Sequence, residues 1–528
     1  MVSKVAREVF GHSSLLPGQE AAITAALDGH DVLLVAPTGS GKSLVYQVAG
    51  VATGGCTLVV SPLLALQQDQ VGALSSEAVG LRAARLSSAE SAAERAATMA
   101  DARAGELDFL FLAPEQLAND EVRAQLAEVA PSLVAVDEAH CVSAWGHDFR
   151  PDYFRLGDLL ADVGAPRVVA MTATAAPPVR EDIVERLAMR DPRTVVTGFA
   201  RDNLALSVRR VESAEDQQRV VLETVAEQGG GVGIVYCRTR PLAEEYAARL
   251  AEQGRRTAIY HAGLGHRRRE STHAAFLADE LDVVVATSAF GMGIDKPDVR
   301  FVVHAQVPES PDTYYQEVGR AGRDGEPATG TLVYRAEDLG LGRFFSTTVP
   351  KRRTVEKVVR AAGRDELPDP AELAERAGIS RQAAGRIRNL LQLAGEVHGP
   401  LGPKARVDAA LELAESRRSL ERSRVDMMRS YCETDHCRSQ FLAGYFGEQL
   451  GLCGVCDSCR NGTAPEARAE DDDAPYPLQG RVEHSEFGDG VVTAVEADRV
   501  TVLFTDVGYR TLALDVVDAE GLLTAVTS

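Results

Sequence analysis

From residue 31 onward, short apolar runs alternate with longer segments in which Ala, Leu and Glu recur at helical spacing. DVLLVA (31–36), CTLVVS (56–61), FLFLA (109–113), SLVAVD (132–137) and RVVAMTA (167–173) are each bounded by turn-forming residues. Strands that are apolar almost throughout are buried on both faces. With helices between them, they predict a parallel sheet covered on two sides. A second series follows residue 200: GVGIVYC (231–237), RTAIYH (256–261), LDVVVAT (281–287), RFVVHA (300–305) and GTLVYR (330–335). The pattern predicts two α/β domains in tandem, 1–200 and 201–345, meeting near Gly198–Asn203.

Residues 346–415 are helical and charged, without a strand series. Within them, PAELAERAGISRQAAGRIRNLLQLAGEV (370–397) reads as a helix-turn-helix. Leu373, Ala377, Ile379, Ala383, Ile387 and Leu390 form its apolar face, Gly378 makes the turn and Ser380 caps the second helix. Arg381, Arg386 and Arg388 are then available to phosphates or groove edges, although a purely structural helix pair fits the pattern too. Residues 416–462 hold a cysteine cluster, and the small, acidic stretch 463–476 suits a flexible linker. In 477–528 the short runs VVTAV, RVTVLFT and YRTLAL, punctuated by Gly and Asp, predict a small β-barrel.

Composition narrows the class. With 528 residues, 45% hydrophobic and 25% charged, the chain can bury several cores. No stretch approaches the roughly 18 consecutive apolar residues of a membrane span. The opening MVSKVAREVFGHSS lacks the apolar region of a signal peptide, so a cytoplasmic location is expected. The formal net charge of −21 argues against indiscriminate coating of nucleic acid. Phosphates respond to the nearby surface, however, and basic residues bunch at Arg209–Arg210, Arg238–Arg240, Arg255–Arg256 and Arg267–Arg269.

Three segments carry nucleotide chemistry. The first apolar run leads into Pro37-Thr38-Gly39-Ser40-Gly41-Lys42-Ser43 and then a helical stretch. Glycines let backbone N–H groups approach phosphates, Lys42 reaches the β- and γ-phosphates of ATP, and Ser43 ligates Mg²⁺. The run SLVAVD ends in Asp137-Glu138-Ala139-His140. There Asp137 can hold Mg²⁺ and Glu138 can polarise the attacking water. The second domain supplies Gln316-Glu317-Val318-Gly319-Arg320-Ala321-Gly322-Arg323, in which Gln316 is assigned to the nucleotide. Arg320 and Arg323 are candidate arginine fingers.

Of eight cysteines, Cys56, Cys141 and Cys237 stand alone beside apolar runs and read as buried thiols. Cys437, Cys453, Cys456 and Cys459 supply two overlapping C-x₂-C units plus one distant Cys, enough for tetrahedral Zn²⁺. The C-x₂-C-x₂-C spacing is also compatible with an iron–sulfur cluster. Cys432 and His436 are nearby and are left out of the ligand set.

In chain order, PGQ (17–19), APTGSGKSLVYQ (36–47), VVSPLLALQQDQV (59–71), DEAHCVSAWGHDFRPDY (137–153), MTATA (171–175), VYCRTR (235–240), ATSAFGMGIDKPDVRFVVH (286–304) and YYQEVGRAGRDG (314–325) resemble the motifs of RecQ-type DNA helicases. The likeness runs over about 5–345 and resumes at 431–460, where YFGE and CGVCDSC match that family's zinc-binding subdomain. It implies two RecA-like domains and a zinc module, with ATP-driven 3′-to-5′ movement on single-stranded DNA. It further implies unwinding of duplex DNA in repair, recombination or replication. It assigns Gln19 to adenine and Gly293 and Asp295 to the ATP cleft. The segment after the DEAH box resembles the family's aromatic-rich loop, which places Trp145, the sole tryptophan, with His147, Phe149 and Arg150 on single-stranded DNA. Stacking on unpaired bases suits Trp145 and Phe149, and phosphate contact suits His147 and Arg150. The chain departs from the family at Leu15-Leu16, where Phe-Arg is usual, and in placing the helix-turn-helix before the cysteine cluster. Residues 479–528 resemble the Tudor-like, SH3-like module that ends UvrD-type helicases, a binding surface for a protein partner or nucleic acid.

Overall fold

The computed structural model describes the chain apart from residues 63, 88, 144–145, 147–152, 154–155, 292–295, 346–347, 364–366, 400, 466–474, 497 and 527–528. Two compact units are present: Met1–Asp338 with Met428–Glu470, and Leu339–Met427 with Asp471–Ser528.

The first unit contains both expected parallel sheets. In chain order the strands of the first are β1 Val32–Val35, β2 Thr57–Val60, β3 Ala83–Leu86, β4 Phe109–Leu112, β5 Leu133–Val136, β6 Arg167–Thr172 and β7 Arg193–Val196. They lie in the order β3-β4-β2-β5-β6-β1-β7. The central strands β1, β2, β4 and β5 are buried at every position, as their unbroken apolar runs require. Pairing of β1 with β6 sets Val35 beside Thr172, so the loops after β1, β5 and β6 leave the same edge of the sheet. That carboxyl edge is where parallel α/β sheets place ligands.

The second sheet adds β8 Leu204–Arg210, β9 Gly233–Tyr236, β10 Thr257–Tyr260, β11 Val283–Ala286, β12 Phe301–His304 and β13 Ala328–Tyr334, in the order β10-β11-β9-β12-β13-β8. Its core gathers Val235, Val283, Val285, Phe301 and Val303 beneath helices Ala214–Glu227 and Arg240–Glu252.

In the second unit, helices Arg352–Ala362, Pro370–Ala377 and Arg381–His398 close over a core of Val355, Val358, Leu373, Ala384, Ile387 and Leu391. The expected helix-turn-helix is formed as its local chemistry dictates. Asp369 caps the first helix, Gly378 ends it at φ +65°, and the Ser380 hydroxyl accepts from Ala383 N–H. Ala384, fully buried, rather than the half-buried Ala383, carries the inward face of the second helix. Arg388 turns back to donate to Pro368 O at 2.9 Å, which leaves Arg381 and Arg386 as its exposed cations. A single helix, Pro403–Glu433, runs through 415–416, where the change of texture had suggested a boundary. The C-terminal strands β14 Arg481–His484, β15 Gly488–Val495, β16 Arg499–Phe504, β17 Gly508–Ala513 and β18 Leu523–Ala525 form a barrel-like antiparallel sheet in the order β17-β16-β15-β14-β18. Val482, Val492, Val500, Val502 and Phe504 fill its core.

Candidate functional site

The loop after β1 holds Thr38 to Ser43, and Lys42 and Ser43 open the helix Lys42–Thr53. Gly39 and Gly41 both take positive φ, +83° and +67°, which admits the tight turn that aims N–H groups inward. Lys42 Nζ donates to Ala36 O at 3.0 Å and Pro37 O at 3.1 Å, so its stem folds under its own loop. Burial pulls the Lys42 ammonium below its ordinary value, while Glu138 and Asp137 draw it back up. The Ser40 hydroxyl is buried with no hydrogen-bond partner among the described residues. A phosphate oxygen is the kind of group that would satisfy it.

Gln19 is tied into the same loop. Its Nε2 donates to Ser40 O at 2.8 Å and Gly41 O at 3.2 Å, and its Oε1 accepts from Leu16 N–H at 2.9 Å. Leu16, Gln19, Leu34, Ser40, Val196 and Ala200 are among the residues lining a cleft of about 450 Å³ beside it. The walls are mostly apolar and suit a planar base, and the exposed Leu16 stands where an arginine is usual in the resembling family.

Asp137 and Glu138 follow β5 at the same sheet edge. Burial pushes the Asp137 carboxyl above its ordinary value, opposed by the neighbouring Lys42 ammonium. Asp137 also accepts from Ser61 Oγ at 3.3 Å. Glu138 sits in the left-handed region at φ +47°, an uncommon conformation for a residue with a side chain. His140 Nδ1 lies 2.9 Å from Thr172 Oγ1 and 3.3 Å from Glu138 Oε2. The acidic loop is thereby linked to the end of β6, a connection absent from the sequence reading.

The second sheet presents its arginines to this loop. Helix Pro311–Val318 ends at Gly319, and Arg320 and Arg323 follow. A Cβ placed on Gly39 would come within 2.8 Å of Arg323 Cγ, so only glycine allows this side chain to lie against the phosphate loop. Arg323 is close enough to Lys42 to depress its pKa further. Arg320 is buried 3.2 Å from the Cβ position of Gly291. Gln316 Nε2 reaches across to Thr174 Oγ1 at 3.3 Å.

Sequence reasoning missed what holds the arginine loop. Arg201 donates to Ala321 O at 2.9 Å and Gly322 O at 2.8 Å, and Asn203 Nδ2 to Gly322 O at 2.7 Å. The signal was present, since both polar residues stand in the short linker just before β8. Trp145, His147, Phe149, Arg150, Gly293 and Asp295 lie outside the described residues.

The four expected cysteines come together, with ligand atoms all within 4.8 Å of one another. Sulfur separations are 4.0 Å for both Cys453–Cys459 and Cys456–Cys437. A tetrahedral zinc with Zn–S of about 2.3 Å needs edges of about 3.8 Å, so one ion fits and a multi-iron cluster does not. The N–H groups of Cys453 and Cys456 each lie 3.4 Å from a ligand sulfur, the usual support for thiolates. Asp457, between two ligands, accepts from Arg438 Nε at 2.9 Å and from Val208 N–H of β8 at 2.9 Å. The metal loop is thereby fastened to the second sheet. Cys456→Ser is expected to release the zinc and lower the melting temperature by on the order of 10 °C, taking several kcal/mol lost at roughly 2–4 °C per kcal/mol. Metal analysis with thermal unfolding checks this.

The family model for DEAD/DEAH box helicases matches residues 16–183, that for the helicase conserved C-terminal domain 216–325, and that for RecQ zinc-binding 387–460. The "ATP-dependent DNA helicase RecQ" of Bacillus subtilis is 34% identical over 85% of this chain, which spans 65% of that relative's length. The "Probable ATP-dependent DNA helicase RecS" of the same organism is 35% identical over 86% of this chain and 90% of its own. Among solved structures, the Mycobacterium smegmatis helicase Lhr bound to ssDNA and AMP-PNP is alike in fold. Its TM-score is 0.52 at 23% identity, over 72% of this chain and 56% of that one.

Proposed function

The chain belongs to the RecQ family of superfamily 2 helicases, and from that premise we infer that it is an ATP-driven motor that moves 3′ to 5′ along single-stranded DNA and unwinds duplexes in repair, recombination or replication. One observation carries this reading: Arg323 of the second α/β domain lies against Gly39 in the loop after β1, and its charge acts on Lys42. An active site split between two domains makes hydrolysis depend on their closure, and closure is what becomes movement.

In this reading Thr38 to Ser43 cradle the phosphates, Lys42 neutralises them and Gln19 stands beside the base. Ser43 and Asp137 would hold Mg²⁺, which would supply positive charge to offset that of the phosphates. Glu138 orients the attacking water, while Arg320 and Arg323 meet the charge that develops on the transferred phosphoryl group. Gln316, Gly293 and Asp295 complete the cleft on the second domain. Trp145, His147, Phe149 and Arg150 engage the single strand.

Trp145→Ala is expected to leave basal ATP turnover in place and remove its stimulation by single-stranded DNA. Titration with an oligonucleotide checks this, and stimulation equal to the parent chain would remove the loop from coupling. Comparing DNA with RNA as activator, and 3′-tailed with 5′-tailed duplexes as substrates, tests the substrate and the direction. Equal activation by RNA would move the chain to the RNA helicases.

What supports a cytoplasmic setting is that none of the eight cysteines is joined in a disulfide and four of them gather as a metal site instead. Among the described residues no helix is long and apolar enough to cross a membrane. The C-terminal sheet is suited to holding a protein or nucleic-acid partner.

A further inference from the structure

The turn Tyr445–Glu448, just before the last three zinc ligands, touches both motor domains and the linker between them. Phe446 is fully buried and stacks on Phe199 of the linker, with centroids 4.5 Å apart and planes 14° apart. It also meets Tyr315 edge-on at 5.2 Å, on the helix that ends in the arginine loop. Its carbonyl accepts from Arg180 Nη2 at 2.8 Å, on a helix of the first domain. Glu448 Oε2 accepts from Phe199 N–H at 2.5 Å; burial lowers the Arg180 guanidinium from its ordinary value, and the Glu448 charge draws it back up. Tyr315 Oη closes the ring of contacts by donating to Phe199 O at 3.1 Å. Tyr445 Oη donates to Asp312 at 2.5 Å, in the first turn of that same helix.

These contacts converge on the segment that joins the two sheets, between β7 and β8. Gly198 provides the bend at φ +90°, and a Cβ there would sit 3.1 Å from Glu448 Oε1. Tyr315 is also the residue whose carbonyl accepts from Gly319 N–H at 3.0 Å, at the start of the arginine loop.

We propose that Phe446 and Glu448 are positioning residues for ATP hydrolysis: seated by the zinc loop, they clamp the linker at Gly198–Phe199 and set the register in which Arg320 and Arg323 meet the phosphate loop. This inference rests on the split-site motor reading given above. It gives the cysteine module a task in the motor that does not require contact with DNA.

The test uses the full chain, with ATP turnover measured with and without an oligonucleotide and zinc content measured in parallel. A misplacement of about 1 Å at a reacting centre can cost about a hundredfold, so Glu448→Ala and Phe446→Ala should lower DNA-stimulated kcat by about ten- to a hundredfold. KM for ATP should stay within a few-fold and zinc should be retained. Phe446→Tyr, which keeps the stacked ring, should restore most of the rate. Gly198→Ala probes the clamp from the linker side and should reproduce the kcat loss with the zinc module untouched. Parental kcat in Glu448→Ala and Gly198→Ala, both zinc-loaded, would overturn the clamp. A rate loss that appears only together with loss of zinc would do the same. If the parent chain itself shows no DNA-stimulated turnover, the motor reading fails instead.

Discussion

Replacing Lys42 with alanine is expected to lower ATP turnover by about 10²–10³-fold or more, with affinity for single-stranded DNA kept within a few-fold. Lys42 is the cation nearest the phosphate cradle on the first domain, and Asp137 and Glu138 face it. Its removal leaves those two carboxylates beside an incoming polyphosphate with nothing to offset the repulsion. Both nucleotide binding and the transition state should suffer, so KM for ATP should rise while kcat falls. The DNA-contacting residues assigned from sequence lie elsewhere in the chain, which is why binding should survive. Steady-state turnover beside an oligonucleotide-binding isotherm checks both halves, and undiminished turnover would displace the nucleotide site from this loop.

The second large effect is expected at Arg323. Removing an arginine finger costs about 10³-fold or more in kcat. Arg323→Ala should therefore lose that rate with KM for ATP changed only a few-fold, because its guanidinium is needed most when the domains close and charge moves onto the transferred group. The contrast with Lys42 is diagnostic: one residue serves ground and transition states alike, and the other mainly the transition state. Arg323→Lys should recover little, since an ammonium keeps the charge but loses the fork geometry. A mainly KM effect in Arg323→Ala would recast the residue as a binding group.

Much of the fold was legible because burial on both faces writes itself into sequence as unbroken apolar runs. β1, β2, β4 and β5 were each contained within such a run. In the two parallel sheets the strands that escaped are edges. β3 and β7 carry Arg; β3 is half-buried except at Leu86, β7 is mostly exposed, and β8 turns polar toward Arg209 and Arg210. An edge strand exposed on one side can lack a continuous apolar signature, although the edge strand β10 kept one in RTAIYH.

The residues brought to the nucleotide loop were legible for a different reason. Lys42, Asp137 and Glu138 stand in short motifs fixed to strand ends, and the cysteine set is fixed by spacing. Contacts between distant segments left no such mark. His140 against Thr172, Arg201 against the carbonyls of 321 and 322, and Phe446 against Phe199 each join residues far apart in the chain. Each side chain alone reads as ordinary. The helix Pro403–Glu433 was cut in sequence reading because a change of composition carries no cap chemistry, and a helix without a breaker continues.

The most direct measurement of the central claim is the steady-state ATPase rate with and without single-stranded DNA, beside unwinding of a 3′-tailed duplex by the same zinc-loaded protein. Strong stimulation together with strand separation is the expected result. A folded, zinc-bound chain whose ATP turnover ignores DNA and whose duplex stays paired would contradict it.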